Sequence, residues 1–276
     1  MSVRDRIYGA YGRLLSAEVS KQKMPNHVAV IMDGNRRYAE KIGMPRHMGH
    51  LYGVETTENV LYWCKELGIR HLTIYAFSTE NFERGEDEKQ FLFTLMKDKI
   101  KKVCEDGEIL EKGLRVKVIG NLDALPEDVR AEARKMEQMT EKCNDYFLYV
   151  ALAYGGRQEI VDTLRSIGQL VKDGSIKAGD VDDKLISSHL YAGDAAAVDM
   201  IIRTGGEMRT SNFLPWQASG NESAAYFCAP YWPEFRKIDF LRAIRTYQMR
   251  GGAKKRNALR RGAKLFVEFV KKGGER

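Results

Sequence analysis

Short, continuous apolar runs alternate with longer amphipathic stretches along most of this chain, and that alternation limits the fold more than any other feature. The runs are HVAVIM (His27 to Met32), HLTIYAF (His71 to Phe77), RVKVIG, YFLYVALA and VDMIIR (Val198 to Arg203), with AAYFC (Ala224 to Cys228) as a possible sixth. Between them lie helix-spaced patterns: a segment reaching Trp63 and Leu67, the series Phe91, Leu92, Leu95, Met96, Ile100 and Val103, and Ile160, Leu164 and Ile167. Leu125-Pro126-Glu127-Asp128 opens another, with proline in the first turn and acidic residues that suit the helix dipole. Unbroken apolar strands separated by helices predict a parallel sheet covered on both faces, so the expectation is one doubly wound α/β domain. Its boundaries are set at residues 25–250, with an N-terminal amphipathic helix over 1–24 and a basic helical tail over 251–276.

In such sheets ligands bind beyond the carboxyl ends of the strands. Four of those ends carry Asp33-Gly34-Asn35-Arg36-Arg37, Ser78-Thr79-Glu80-Asn81-Phe82-Glu83-Arg84, Tyr154-Gly155-Gly156-Arg157, and the loop from Arg203 through Gly205-Gly206 to Arg209-Thr210-Ser211-Asn212. Taken singly, each glycine pair reads as a tight turn and each arginine as an ion-pair partner. Together they place arginine, glycine and small hydroxyls at one edge of the sheet, where backbone can approach an anion and guanidinium can grip phosphate. Asp33, and Glu222 in the polar segment after the last loop, are the carboxylates that could hold Mg²⁺ together with substrate phosphates, although Glu222 alone reads as a solvated residue. The chain has no phosphate loop of the G-x-x-x-x-G-K-[ST] type, no G-x-G-x-x-G after a strand, no G-x-S-x-G and no H-E-x-x-H.

Composition narrows the class further. The net charge of +7 conceals an asymmetry, because Arg236 to Arg276 hold fourteen Lys+Arg against three Asp+Glu while the preceding residues are net acidic. That tail lacks interleaved stacking aromatics, which argues against nucleic acid as a partner. The four cysteines (Cys64, Cys104, Cys143, Cys228) form no C-x-x-C pair, and no apolar run approaches the roughly 20 residues that span a bilayer. A cytoplasmic protein is expected.

Four long strings, HVAVIMDGNRRYAEKIGMPRHMGHLYG, TIYAFSTENFER, ALAYGGRQEI and DMIIRTGGEMRTSNFLPWQASGNESAAYFCAPYWPEF, resemble the signature regions of cis-prenyltransferases, the undecaprenyl diphosphate synthase family. They run in order from about His27 to Phe235, and ASGNESAAYF looks more like archaeal members than bacterial ones. The resemblance implies an Mg²⁺-dependent homodimer with an apolar tunnel, joining isopentenyl diphosphate repeatedly to an allylic diphosphate with each new double bond cis. Archaeal likeness implies geranylgeranyl diphosphate as acceptor and a product near undecaprenyl length, for a lipid that carries sugars; farnesyl diphosphate or a shorter product is the alternative.

Matched position by position, Asp33 stands for the essential aspartate that helps ligate Mg²⁺, with Glu222 as its partner carboxylate. Gly34, Asn35, Arg36, Arg37 and Arg46 would receive the allylic diphosphate, and Tyr38 replaces the tryptophan of many relatives. Arg203, Arg209 and Ser211, with Thr210 beside them, match the isopentenyl diphosphate pocket. His50, Ser78 and Asn81 match residues that manage the lost proton, and which of the three does so stays open; a histidine with an ordinary pKa could act as acid or base. Thr79, Glu80, Phe82 (again for tryptophan) and Arg84 complete the binding set, while Ala76 would lie near the tunnel entrance and Tyr146 and Leu148 at its deep end.

Some relatives have lost the catalytic aspartate and serve as partner subunits; the presence of both Asp33 and Glu222 argues against that here. Val3, Ile7, Tyr11, Leu14 and Leu15 fall on one face at helix spacing, which suits packing on the protein or peripheral contact with an anionic membrane.

Overall fold

The computed structural model describes residues 3–111, 113–193, 195–218 and 223–250, without the side chains of residues 3–8, 108 and 109. The basic tail over 251–276 and the carboxylate Glu222 lie outside the described residues. The chain divides into two units, Pro25–Lys237 and a smaller one made of residues 1–24 with 238–276.

In the larger unit six parallel strands form one sheet, with β1 (His27–Ile31), β2 (His71–Tyr75), β3 (Leu114–Ile119), β4 (Tyr146–Ala151), β5 (Met200–Arg203) and β6 (Ala224–Phe227) in the order β3-β4-β2-β1-β5-β6. Every residue of β1 and β5 is buried, as strands covered on both faces require, whereas the edge strand β3 alternates. The two faces of β4 separate cleanly. Tyr146, Leu148 and Val150 join the apolar cluster built from α4 (Glu86–Asp106) and, beyond the single turn α5 (Glu108–Glu111), α6 (Glu127–Thr140), while Phe147, Tyr149 and Ala151 join a second cluster that includes Val198, Phe213 and Leu214. Helices α7 (Gly156–Lys172) and α8 (Asp183–His189) follow β4.

The helical stretch expected after β1 is broken in two. Helix α2 (Asn35–Lys41) stops before Gly43, which takes φ 73°, and Pro45, which has no N–H to continue a helix; a 3₁₀ turn (Arg46–Met48) then leads into α3 (Gly49–Glu66). That break turns Arg46 back to Glu40, with which it is ion-paired. Strand order reverses at β1, which connects onward to β2 on one side and is flanked by β5 on the other, so a crevice opens between the ends of β1 and β5, where Ile31 pairs with Arg203.

In the smaller unit, α1 (Val3–Val19) buries Leu15 and Val19 but leaves Leu14 71% exposed. Residues 238–250 are helical; Gln248 donates to the Val19 carbonyl at 2.9 Å, and the Arg242 guanidinium lies 5.5 Å from the centre of the Tyr11 ring. No helix among the described residues is long and apolar enough to cross a membrane.

Candidate active site

Asp33 sits two residues beyond β1, at the crevice. Its Oδ2 accepts from Arg203 Nη2 at 2.8 Å and its Oδ1 from Arg37 Nη2 at 3.1 Å. Its backbone carbonyl is fixed by the Thr204 hydroxyl at 2.7 Å and the Trp232 N–H at 2.9 Å. Gly34 follows with φ 104°, and a Cβ there would come within 2.7 Å of Tyr231, so glycine is required for both reasons. Gly205, at φ 82°, is equally tight, because a Cβ would meet the Arg37 guanidinium at 2.6 Å while its carbonyl accepts from Arg37 Nη1 at 2.9 Å.

Arg203 is buried, and it also donates to Ser211 Oγ at 2.6 Å and to the Arg209 carbonyl at 2.7 Å. The loop it organises takes left-handed backbone at Ser211 (φ 46°), Asn212 (φ 59°) and Leu214 (φ 50°), a run costly for non-glycine residues. Arg209 itself stays exposed, 3.5 Å from Glu207. Arg203 Nε and Asn35 Oδ1 are buried without a hydrogen-bond partner. Orphaned polar atoms at a strand-end crevice are what a ligand site leaves behind.

The β2 end joins this edge through pairing of Ser78 with Tyr154. Ser78 and Asn81 brace one another: the Ser78 N–H donates to Asn81 Oδ1 at 3.1 Å, and the Asn81 N–H returns to the Ser78 carbonyl at 3.0 Å. Thr79 and Asn212 donate to Glu80 at 3.3 and 3.4 Å; burial pushes that carboxyl up, but its hydrogen bonds prevail and hold it below its ordinary value. His50, at the start of α3, lies 3.4 Å from Arg84. Burial, then the charges of Arg84 and Arg36, pushes its pKa down to about 3, so it is neutral at pH 7 rather than poised to titrate there as an ordinary histidine would.

Two cavities meet at these residues. The smaller, about 330 Å³, is lined by Asp33 to Arg37, Arg46, His50 and Arg84. The larger, about 1310 Å³, shares Asp33, Asn35, His50 and Arg84, takes in Ser78, Glu80, Asn81, Arg203, Arg209 and Ser211, and continues between the sheet and α3, α4 and α6. Its far part is apolar, with Leu61, Ala76, Leu92, Met96, Ile100, Tyr146 and Leu148 among its walls. Tyr38, Thr79, Phe82 and Thr210 line neither cavity. Tyr38 meets Tyr52 edge-on at 5.5 Å, and Phe82 packs on Phe77 at 5.0 Å.

Asn212, at the end of the arginine-bearing loop, accepts the Arg157 N–H at 2.9 Å and lines the larger cavity. Two further residues at the site went unremarked in the sequence. Glu159, fully buried, receives Tyr154, Gln217 and the Tyr191 N–H at 2.5, 2.9 and 3.1 Å, tying α7 to the loop after β5. Glu88 gathers Arg84, Arg36 and His50. Only Glu88 left a readable signal, four residues after Arg84 at helical spacing.

A cationic, glycine-shaped crevice that opens into an apolar chamber defines an enzyme for molecules with an anionic head and a long apolar tail. Comparison with known proteins identifies that class. The chain belongs to the prenyltransferase family described as "Putative undecaprenyl diphosphate synthase", which it matches over residues 31–255, and it is a transferase of the cis-prenyl type. It is 49% identical over 252 residues to the tritrans,polycis-undecaprenyl-diphosphate synthase (geranylgeranyl-diphosphate specific) of Methanosarcina mazei, covering 90% of this chain and 85% of that one. The enzyme of the same name from Archaeoglobus fulgidus is 50% identical, covering 87% and 95%. Among solved structures, lavandulyl diphosphate synthase from Lavandula x intermedia in complex with dimethylallyl diphosphate superposes with a TM-score of 0.77 at 31% identity, covering 84% of this chain and 96% of that one.

Proposed function

We propose that this enzyme condenses isopentenyl diphosphate with geranylgeranyl diphosphate, repeatedly and in cis, to a product of about undecaprenyl length that serves as a glycosyl carrier lipid. The observation that carries this reading is the Asp33–Arg203 pair at the mouth of an apolar cavity of about 1310 Å³, in a chain about half identical to enzymes named for that acceptor and product.

In this reading the smaller cavity takes the allylic diphosphate on Arg36, Arg37, Arg46 and Arg84, and Arg203, Arg209 and Ser211 take the isopentenyl diphosphate. Charge grows on the leaving diphosphate as the allylic C–O bond breaks, and fixed guanidinium groups stabilise it without reorganising. The isopentenyl double bond supplies the electrons of the new C–C bond, and a proton is then lost. His50, held neutral, is suited to a hydrogen-bonding contact rather than to a cationic one, and the braced Ser78–Asn81 pair faces the same cavity.

The donor set fits magnesium. Asp33 presents a carboxylate, 29% exposed, that lines both cavities, and magnesium is ordinarily held by one or two carboxylates with substrate phosphates completing its shell. Asp33 and Glu222 would hold the ion, which when bound adds positive charge beside the diphosphate. A homodimer and peripheral membrane contact belong to the same reading; Val161 and Leu164 of α7, 41% and 54% exposed, are candidates for the former.

The test is incubation of the purified protein with labelled isopentenyl diphosphate and either geranylgeranyl or farnesyl diphosphate, followed by extraction and sizing of the products. Geranylgeranyl diphosphate should be the better acceptor, and chelation with EDTA should stop incorporation. Preference for farnesyl diphosphate would overturn the acceptor assignment.

A further inference from the structure

Glu88 stands behind the cationic wall of the smaller cavity. It lines neither cavity, yet three groups that do line the smaller one converge on it from three different elements: Arg84 at 2.9 Å, Arg36 of α2 at 3.7 Å and His50 of α3 at 3.9 Å. Its side chain is only 16% exposed. Two guanidinium groups held near one another repel, and each has long-chain rotamer freedom that binding would otherwise have to remove. A carboxylate placed between them offsets the repulsion, hydrogen-bonds Arg84 and attracts Arg36 before an anion arrives, which lowers the ordering cost of binding.

We propose that Glu88 is a positioning residue that pre-arranges Arg36, Arg84 and His50 as a receptor for the diphosphate of the allylic substrate. The proposal rests on the reading of the smaller cavity given above. Glu88 acts through its partners and touches no reacting atom. Its location on the first turn of α4 also couples that receptor to the helix whose Leu92, Met96 and Ile100 line the apolar chamber, so head and tail of one substrate are aligned by one helix.

The experiment compares Glu88→Gln, which keeps size and loses charge, with Glu88→Asp and the unaltered enzyme. Geranylgeranyl thiodiphosphate, whose C–S bond resists ionisation, is titrated without isopentenyl diphosphate, and steady-state constants are measured separately. Glu88→Gln is expected to weaken thiodiphosphate binding and raise the allylic KM by about tenfold, the size of one charge-assisted contact, with kcat and the isopentenyl diphosphate KM within about twofold. Glu88→Asp should fall between. Unchanged or tighter thiodiphosphate binding would overturn the proposal, as would equal rises in both KM values with a lowered Tm, the mark of a merely structural carboxylate. Because that titration needs no turnover, it judges Glu88 even if the products show that the acceptor or chain length has been misassigned.

Discussion

Both ends of the parallel sheet carry buried polar side chains, and the clusters described at the two ends differ in how fully they are partnered. At the amino ends, His27 is 2% exposed, and its ring bonds the Ala196 carbonyl at 2.6 Å and Thr73 Oγ1 at 2.7 Å. Asp199 accepts the N–H groups of Asn26 and His27 at 2.7 and 3.0 Å. At the carboxyl ends, Arg203 and Asn35 keep orphaned atoms, and three non-glycine residues of the neighbouring loop hold left-handed backbone. A polar cluster with its bonds complete serves the fold. One that is under-satisfied and strained is held in readiness for a ligand, at a cost in stability met elsewhere in the molecule.

Substitution at each end should therefore separate activity from stability. The largest effect is expected for Asp33→Asn, with turnover down by about 10²–10³-fold, or about 3–4 kcal/mol in activation. Its unfolding free energy should move by only about 1 kcal/mol, because Arg203 retains Ser211 and the Arg209 carbonyl. Steady-state assays beside urea unfolding check both numbers. His27→Ala should do the reverse, costing about 2–3 kcal/mol of stability through a cavity and a stranded Thr73 hydroxyl, with kcat of the folded enzyme unaltered.

The same histidine gives a pH signature. Burial is the main cause that lowers its pKa to about 4, with the neighbouring His71 adding to the shift against the opposing Ala196 carbonyl and Asp199. The unfolded chain binds the proton near pH 6.5 and the folded chain near 4, so stability is full above 6.5 and is lost as pH falls toward 4, by about 2 kcal/mol at pH 5. Denaturant midpoints at pH 7 and 5 should show this limb together with a similar one from His50, so His27→Gln should reduce the total loss by about half. The smallest effect is expected for Arg209→Ala, which should raise the isopentenyl diphosphate KM by about tenfold, or about 1.4 kcal/mol, and spare the allylic KM. A rise confined to the allylic KM would exchange the two subsites.

Much of this was legible in the chain. Parallel strands buried on both faces have to be continuously apolar, and β1, β2 and β5 announce themselves for that reason. Asp33 and Arg203 were readable because strand ends are where such sheets bind, and the pairing of Ile31 with Arg203 then brings them together across residues distant in sequence. The break between α2 and α3 was not read, since the apolar period resumes in register on its far side while Gly43 and Pro45 do the breaking. The lowered pKa of His50 could not be read either, because it comes from burial and from arginines supplied by two other elements. Glu159 carried no mark at all, as only folding buries it beside Tyr154 and Gln217.

In the proposed function the polar crevice feeds the apolar chamber beneath it, and chamber shape then sets product length. Ala76 and Tyr146 both line that chamber, and Tyr146 is also capped by Lys65, whose ammonium lies 5.6 Å from its ring centre. The direct measurement is mass spectrometry of the polyprenyl products made from geranylgeranyl diphosphate by the unaltered enzyme, Ala76→Leu and Tyr146→Ala. Chains shorter by at least one isoprene unit for Ala76→Leu and longer by at least one for Tyr146→Ala are predicted; identical product distributions from all three would mean that the growing chain does not occupy this chamber.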